Sequence, residues 1–409
     1  MPEISKRKVQ PIEQTIATDA ATQQTYGLDR AKYQRPKRFA IVPAFVFVIL
    51  SLLAMYYMRI ASNAAGVGEK MEHINNIKYF PEYSVPLRTT YTGLGPLDGF
   101  LQFLVTAFAP GAAGWDPAFH ILQPYFLVSF FPLVSIFVIE SGRKRNHHAL
   151  TSYTGVWALF YQTVGGAVII PLWFLAYLWD SRSSDYFSPE SRKVPLAYAK
   201  SLLPALGIGY LIPTILMFLP YSQEDYWTTQ FMIALWQPSP WFVNAIRWVL
   251  SKFYAKEQPG GVEDENGSED HPADLDYLGT IYRMTFVVSA VTHIATMAIC
   301  FFSTRPEYSF RQVFIPGEIT TDTSLSEALR MIFQVDFWII FSAALVWALF
   351  AVWDLKRVGL TDVGLLNNAV TIVVQAIIFG PAATTARFWS WREYMMIKKP
   401  TGANQEKHD

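Results

Sequence analysis

The sequence predicts an all-α integral-membrane fold, and three observations carry that prediction. Apolar segments long enough to span a bilayer recur from Phe39 to Phe388. Of the 409 residues, 52% are hydrophobic and 16% aromatic, while only 16% are charged. Formal net charge is zero and the single cysteine, Cys300, lies in an apolar stretch. These last two features leave no basic field for nucleic acid, no disulfide frame and no thiolate metal cage.

Residues 1–38 are polar, rich in Gln, Thr and Lys/Arg, and lack the early apolar region of a cleaved signal peptide. The first apolar segment is therefore expected to be an uncleaved signal-anchor. Roughly 20 apolar residues cross the hydrocarbon core as a helix. On that measure the expected spans are 39–58, 122–140, 155–178, 198–219, 227–253, 277–302, 329–353 and 363–386. A ninth segment, 96–113, is short and ends in Pro110-Gly111-Ala112-Ala113-Gly114. Irregular backbone at depth is tolerated where protein covers it, so this segment is read as re-entrant. The expectation is a bundle of about eight transmembrane helices plus one short re-entrant element. It forms one transmembrane domain over 39–388, with polar cytoplasmic tails at 1–38 and 389–409.

Basic residues assign the orientation. Arg7, Lys8, Arg30, Lys32, Lys37 and Arg38 place the N-terminus in the cytoplasm. With 96–113 re-entrant, Arg143-Lys144-Arg145 is cytoplasmic and the acidic loop 255–276 is lumenal, where Asn266-Gly267-Ser268 forms a glycosylation sequon. The endoplasmic-reticulum membrane is the expected location. No internal repeat is visible, nor the paired broken helices of an inverted-repeat transporter.

Isolated acids are the next signal, because a carboxylate at membrane depth costs several kcal/mol on roughly any scale and usually lines a cavity. Asp98 opens the apolar stretch LDGFLQFLVTAF after Gly95-Pro96. It suits a helix N-cap as well as a proton donor at a cavity mouth. Glu140 ends an apolar segment just before Arg143, so ion pairing competes with catalysis. Asp336, in FQVDFWIIF, lies about two turns into a span among aromatics and has the least structural excuse. Asp354, in AVWDLKRVG, has Lys356 and Arg357 beside it. The ranking for catalysis is Asp98, Glu140, then Asp336 and Asp354. Of the aromatic and polar side chains at depth, Trp157, Tyr161, Gln162, Trp236 and Trp338 are the candidates to line a substrate cavity. There, ring faces stabilise a cation by roughly 0.5 to 2 kcal/mol each.

Absent motifs narrow the chemistry. The chain has no DDxxD or NDxxD cluster to hold Mg²⁺ against a diphosphate. It also lacks GxxxxGK[ST], a GxGxxG dinucleotide signature, HExxH and GxSxG. No cofactor and no metal are expected. Substrate passage, signalling and acid catalysis without a cofactor remain.

Several phrases then point to a family. LDGFLQFLVTAFAPG, IESGR, WALFYQTVGGAVIIPLWFLAYLW and LPALGIGYLIPTILMFLP resemble fungal integral-membrane terpene cyclases of meroterpenoid pathways. The resemblance is to the cyclases of the ascofuranone and macrophorin type and covers roughly residues 90–390, by order of segments. It implies a cofactor-independent isomerase. Such an enzyme protonates an epoxide or terminal alkene of a farnesyl or longer chain carried on an aromatic or quinone core, then guides carbocation cyclisation. No family motif maps onto a catalytic position here. The expected partners are a prenylated or epoxyprenylated aromatic molecule and the lipid bilayer, with no nucleic acid and no obligate protein. The alternative is a proton-coupled secondary transporter or exporter of a small hydrophobic metabolite, and a non-catalytic receptor fits the span count poorly.

Overall fold

The computed structural model describes residues 37–182, 184–221, 226–256 and 272–397. Most of the N-terminal tail, most of the acidic loop with Asn266, and residues 398–409 lie outside the described residues. The all-α expectation holds. Among the described residues only Tyr79–Phe80 and Val85–Pro86 pair as strands, antiparallel, with Tyr79 opposite Pro86 and Phe80 opposite Val85.

Helix α1, Lys37–Met55, runs into a π-helical turn, Tyr56–Ala61. Helix α2, Val67–Ile77, precedes the strand pair, and α3, Gly95–Ala112, follows it as one continuous helix. Helix α4, Pro117–Ser141, is the central strut, 83% buried over its apolar window. Asp116 caps it by accepting the Phe119 N–H at 2.9 Å. The same carboxylate pairs at 2.7 Å with Arg330 near the start of α11, Leu325–Arg357, so α4 and α11 begin side by side.

The expected count of about eight spans is not matched by helix length. Among the described residues five helical stretches are, by length and composition, apolar enough to cross a membrane: Ile41–Ala64, Pro117–Ser141, Leu196–Met217, Asp274–Phe302 and Leu325–Arg357. The segment 155–178, expected to cross once, is instead a hairpin of α5, Thr154–Thr163, and α6, Gly166–Asp180. Gly165 at its tip has φ +122°, a conformation an L side chain rarely adopts. The two ends meet where the Thr151 N–H and hydroxyl both donate to Asp180 Oδ2 at 2.9 Å. Trp157 and Trp173, on opposite arms, line one small cavity.

Helix α7 occupies Leu196–Leu206 and continues to Met217, while the segment 227–253 divides at Gln237–Pro238 into α8, Trp227–Trp236, and α9, Ser239–Lys256. Helix α10 is Asp274–Phe302. The segment 363–386 breaks at Gly380 into α12, Leu365–Phe379, and α13, Pro381–Met395. These two also fold back on each other, since Ile372 and Phe388 share one apolar cluster with Ala348 and Val352 of α11. Each of the two hairpins has a positive-φ glycine at its tip and a polar side chain from another helix on its open carbonyls. His293 of α10 does this for the second, with Nε2 3.1 Å from the Ile377 carbonyl and Nδ1 2.9 Å from the Tyr125 hydroxyl.

The expected polar tail at 389–409 is corrected as well. Trp389, Arg392 and Glu393 are buried on α13. Trp389 stacks on Trp347 with ring centroids 3.6 Å apart, so it is a core residue rather than an interfacial anchor. The reason is a buried ionic cluster at this end of the bundle. Glu393 receives Arg143 and Arg192, and Arg192 also pairs with Asp274. Glu140 receives Arg143 at 2.9 Å, Arg145 at 3.1 Å and Arg392 at 3.5 Å.

Candidate active site

A cavity of about 1190 Å³ of empty space, open mouth included, lies between the π-helical turn after α1, α3, α4, the tip of the α5–α6 hairpin, α8 and α11. Aromatic side chains build its walls. Phe108 meets Phe333 edge-on at 5.0 Å and Trp236 at 5.5 Å, Tyr161 meets Phe130 edge-on at 5.6 Å, and Tyr210 meets Trp236 edge-on at 6.2 Å. Aliphatic residues such as Leu104, Leu127, Leu329 and Ile340 fill between them. Trp236 has its ring N–H committed to the Thr214 hydroxyl at 2.9 Å, which fixes the plane it turns to the cavity.

Polar groups concentrate at the hairpin tip. Asp336 of α11 is the one carboxyl among the described lining residues. Its Oδ1 accepts the N–H of Ala167, in the first turn of α6, where helix-terminal donors and the helix dipole attract negative charge. No donor among the described residues reaches Oδ2. The contact needs a glycine beside it, for a Cβ on Gly166 would lie 3.2 Å from Asp336 Oδ1 and 2.7 Å from Ile340 Cδ1. On the other side of the tip, Arg59 donates to the Val164 carbonyl from Nε at 3.0 Å and again from Nη2, which also reaches the Thr163 carbonyl at 3.1 Å. These are open carbonyls at the end of α5. Gln162 is held by its Nε2 on the Gln237 carbonyl at 3.0 Å. The site is thus a largely aromatic chamber with a carboxyl, a guanidinium and a side-chain amide at one end.

Of the residues singled out in the sequence, the cavity brings together Asp336, Tyr161, Gln162 and Trp236. Asp98 is elsewhere, in the first turn of α3. Its Oδ1 accepts the Thr92 N–H at 2.7 Å, the Thr92 hydroxyl at 2.8 Å and the Tyr91 N–H at 3.1 Å, while Oδ2 accepts the Gly93 N–H at 3.1 Å. Four donors on one carboxyl suit an ionised acceptor that anchors a loop. Glu140 is fully buried in the arginine cluster and also accepts the Trp389 ring N–H at 3.0 Å. Asp354 pairs with Arg357 at 3.3 Å. Trp157 lines the small cavity between the α5–α6 hairpin, α4 and α9 and donates to the Leu150 carbonyl at 2.9 Å. Trp338 is 41% exposed and donates to the Phe314 carbonyl at 2.7 Å.

Sequence reasoning missed Arg59, Tyr210 and the Gly165–Gly166 tip. Two signals were present: an arginine inside an apolar span (MYYMRIA) and a glycine doublet in the middle of another (TVGGAVI). Among the described residues, no group of three or more His, Cys, Asp or Glu side chains is arranged to hold a metal ion.

Residues 43–397 match the model of the CtvD domain family. The terpene cyclase ascI of Acremonium egyptiacum is 28% identical over 63% of this chain and 67% of its own. The terpene cyclase ctvD of Aspergillus terreus is 26% identical over 75% of this chain and 86% of its own. The FAD-dependent monooxygenase verC1 of Penicillium polonicum is 23% identical over 65% of this chain, but the similar stretch occupies only 32% of that longer protein. No solved structure matches the chain.

Proposed function

The chain belongs to the CtvD domain family, and from that premise we propose that it is a membrane-embedded terpene cyclase of meroterpenoid biosynthesis. Its substrate is a polyprenyl chain, of farnesyl length or longer, on an aromatic or quinone core, and Asp336 is the proton donor. The observation that carries this reading is the placement of one carboxyl, with Oδ2 free, at the polar end of an otherwise aromatic chamber. The reaction is an isomerisation. Asp336 gives its proton to an epoxide oxygen, the adjacent C–O bond breaks, and the tertiary cation is attacked by successive alkenes of the folded chain. Loss of a C–H proton from the final cation restores an alkene, so no net proton is consumed. A cavity without free water suppresses capture of the cation, and ring faces such as those of Trp236, Phe333 and Tyr210 stabilise it by roughly 0.5 to 2 kcal/mol each.

An epoxide is favoured over a terminal alkene by the relatives named as FAD-dependent monooxygenases. A similar stretch there is joined to a longer oxygenating protein, which suits a substrate that is oxygenated before it is cyclised. The substrate partitions into lipid, which accounts for an intramembrane site in the endoplasmic-reticulum membrane. Turnover needs no metal, ATP or nicotinamide.

The test is Asp336→Asn in membranes from a heterologous fungus supplied with an epoxyprenylated phenol. Loss of a general acid costs roughly 100- to 10,000-fold in rate. Near-normal turnover by a well-expressed Asp336→Asn protein refutes the assignment.

A further inference from the structure

We propose that Arg59 is a positioning residue for this cyclisation: it holds the α5–α6 hairpin tip in place and supplies the fixed positive charge that receives the carboxylate left on Asp336. This rests on Asp336 as the donor. Four observations place Arg59 in that role.

The first is the backbone. Arg59 sits inside the π-helical turn Tyr56–Ala61, an irregularity in a long apolar helix of the kind that concentrates at functional sites. The second is the placement of a guanidinium within the apolar helical stretch Ile41–Ala64, where a charged side chain is costly unless it is paired or faces a cavity. The third is where its hydrogen bonds go. All are spent on the carbonyls of Thr163 and Val164, at the C-terminal end of α5. A planar fork held on two neighbouring carbonyls has little freedom left, so its charge is fixed in space. The fourth is adjacency: a Cβ on Gly165 would lie 3.9 Å from Arg59 Nη2 and one on Gly166 3.2 Å from Asp336 Oδ1, so the two side chains flank neighbouring residues of the tip.

The two broken helix ends are therefore met by opposite kinds of group, a guanidinium and a carboxyl. The carbonyl end of α5 is met by Arg59, and the N–H end of α6 by Asp336. Before reaction a neutral carboxylic acid faces the substrate. When its proton moves to the epoxide oxygen, the C–O bond electrons go to that oxygen and positive charge appears on carbon. Negative charge then remains on the Asp336 carboxyl. The Ala167 N–H, the first turn of α6 and the Arg59 charge are already in place near it, so stabilisation grows as the reaction proceeds and costs no rearrangement. A lysine would keep the charge but not the two-carbonyl fork.

The experiment measures kcat and KM for Arg59→Gln and Arg59→Lys in membranes, beside Asp336→Asn. Removing one such preorganised stabiliser costs about 100-fold in kcat, and that loss is expected for Arg59→Gln with KM changed by less than about threefold. Arg59→Lys is expected to keep kcat within about tenfold of the native protein, because the charge that the transition state uses is retained. Near-native kcat in Arg59→Gln, with Asp336→Asn inactive, overturns the role of Arg59 and leaves the donor assignment standing. Should Arg59→Gln fail to accumulate as folded protein, Arg59→Lys decides: a kcat loss beyond tenfold reduces Arg59 to a structural clamp. An active Asp336→Asn protein removes the donor itself, a separate failure.

Discussion

At the scale of single residues, what separates one acid from another here is the number of donors that reach it. Asp98 receives four and Asp336 one, and the second has an oxygen left for chemistry. Asp98→Asn is accordingly expected to lower thermal stability while leaving kcat within about threefold of native, far from the loss that follows removal of a general acid. Turnover assays together with a melting curve in detergent check this, and a kcat collapse at unchanged stability would return Asp98 to the catalytic list. The sequence made all four acids visible but not their order. Asp98 was ranked first because an acid heading a Pro/Gly-bounded apolar helix borders a cavity as readily as it caps a loop. The deciding donors, Tyr91 to Gly93, belong to a turn with no periodic signature. Asp336 has no basic residue beside it in the sequence, and its donor is a backbone N–H at the start of a helix that the apolar pattern hides.

The elements were legible in type and misread in continuity. Long apolar runs say "helix" without saying where it turns back, since hydropathy is the same on both sides of a break. Gly165-Gly166 and Gly380-Pro381 were the available signals, and each doublet turned out to mark a hairpin tip. Gly166→Ala tests the first. Its new methyl would press on Asp336 Oδ1 and Ile340 Cδ1, and displacement of a reacting group by about 1 Å can cost about 100-fold. Activity should therefore fall by much more than stability. Gly165→Ala meets a different obstacle, a φ of +122° with the Met58 methyl 3.2 Å from the added carbon, and should cost about 1–3 kcal/mol of stability. Chemical denaturation of both variants separates the two effects. At the opposite end of the bundle, Glu140→Ala leaves Arg143, Arg145 and Arg392 facing a buried gap. Removing one partner from such a cluster costs about 3–5 kcal/mol, so this variant should accumulate poorly.

For the whole molecule, the fold class and the membrane character followed directly from composition, whereas path and span count depended on the two hairpins. A hairpin brings its ends to one face. Single cysteines at Ser152 and Arg182, in a protein whose Cys300 is replaced by serine, should therefore be labelled from the same side of the membrane. Labelling from opposite sides would mean that 155–178 crosses after all. The ionic cluster has a further consequence, one of timing. Arg143 and Glu393 are separated by 250 positions. At roughly 5–20 residues per second, synthesis reaches the second about 12–50 s after the first. Through that interval Glu140 holds Arg143 and Arg145 at a bundle end whose Glu393, the partner of Arg143 and Arg192, does not yet exist. Helix α13 thus closes ion pairs whose other halves were made well before it, and a chain halted before Pro381 is expected to be short-lived in the cell, recognisable to quality control as a bundle in which Arg143 and Arg192 each lack one partner.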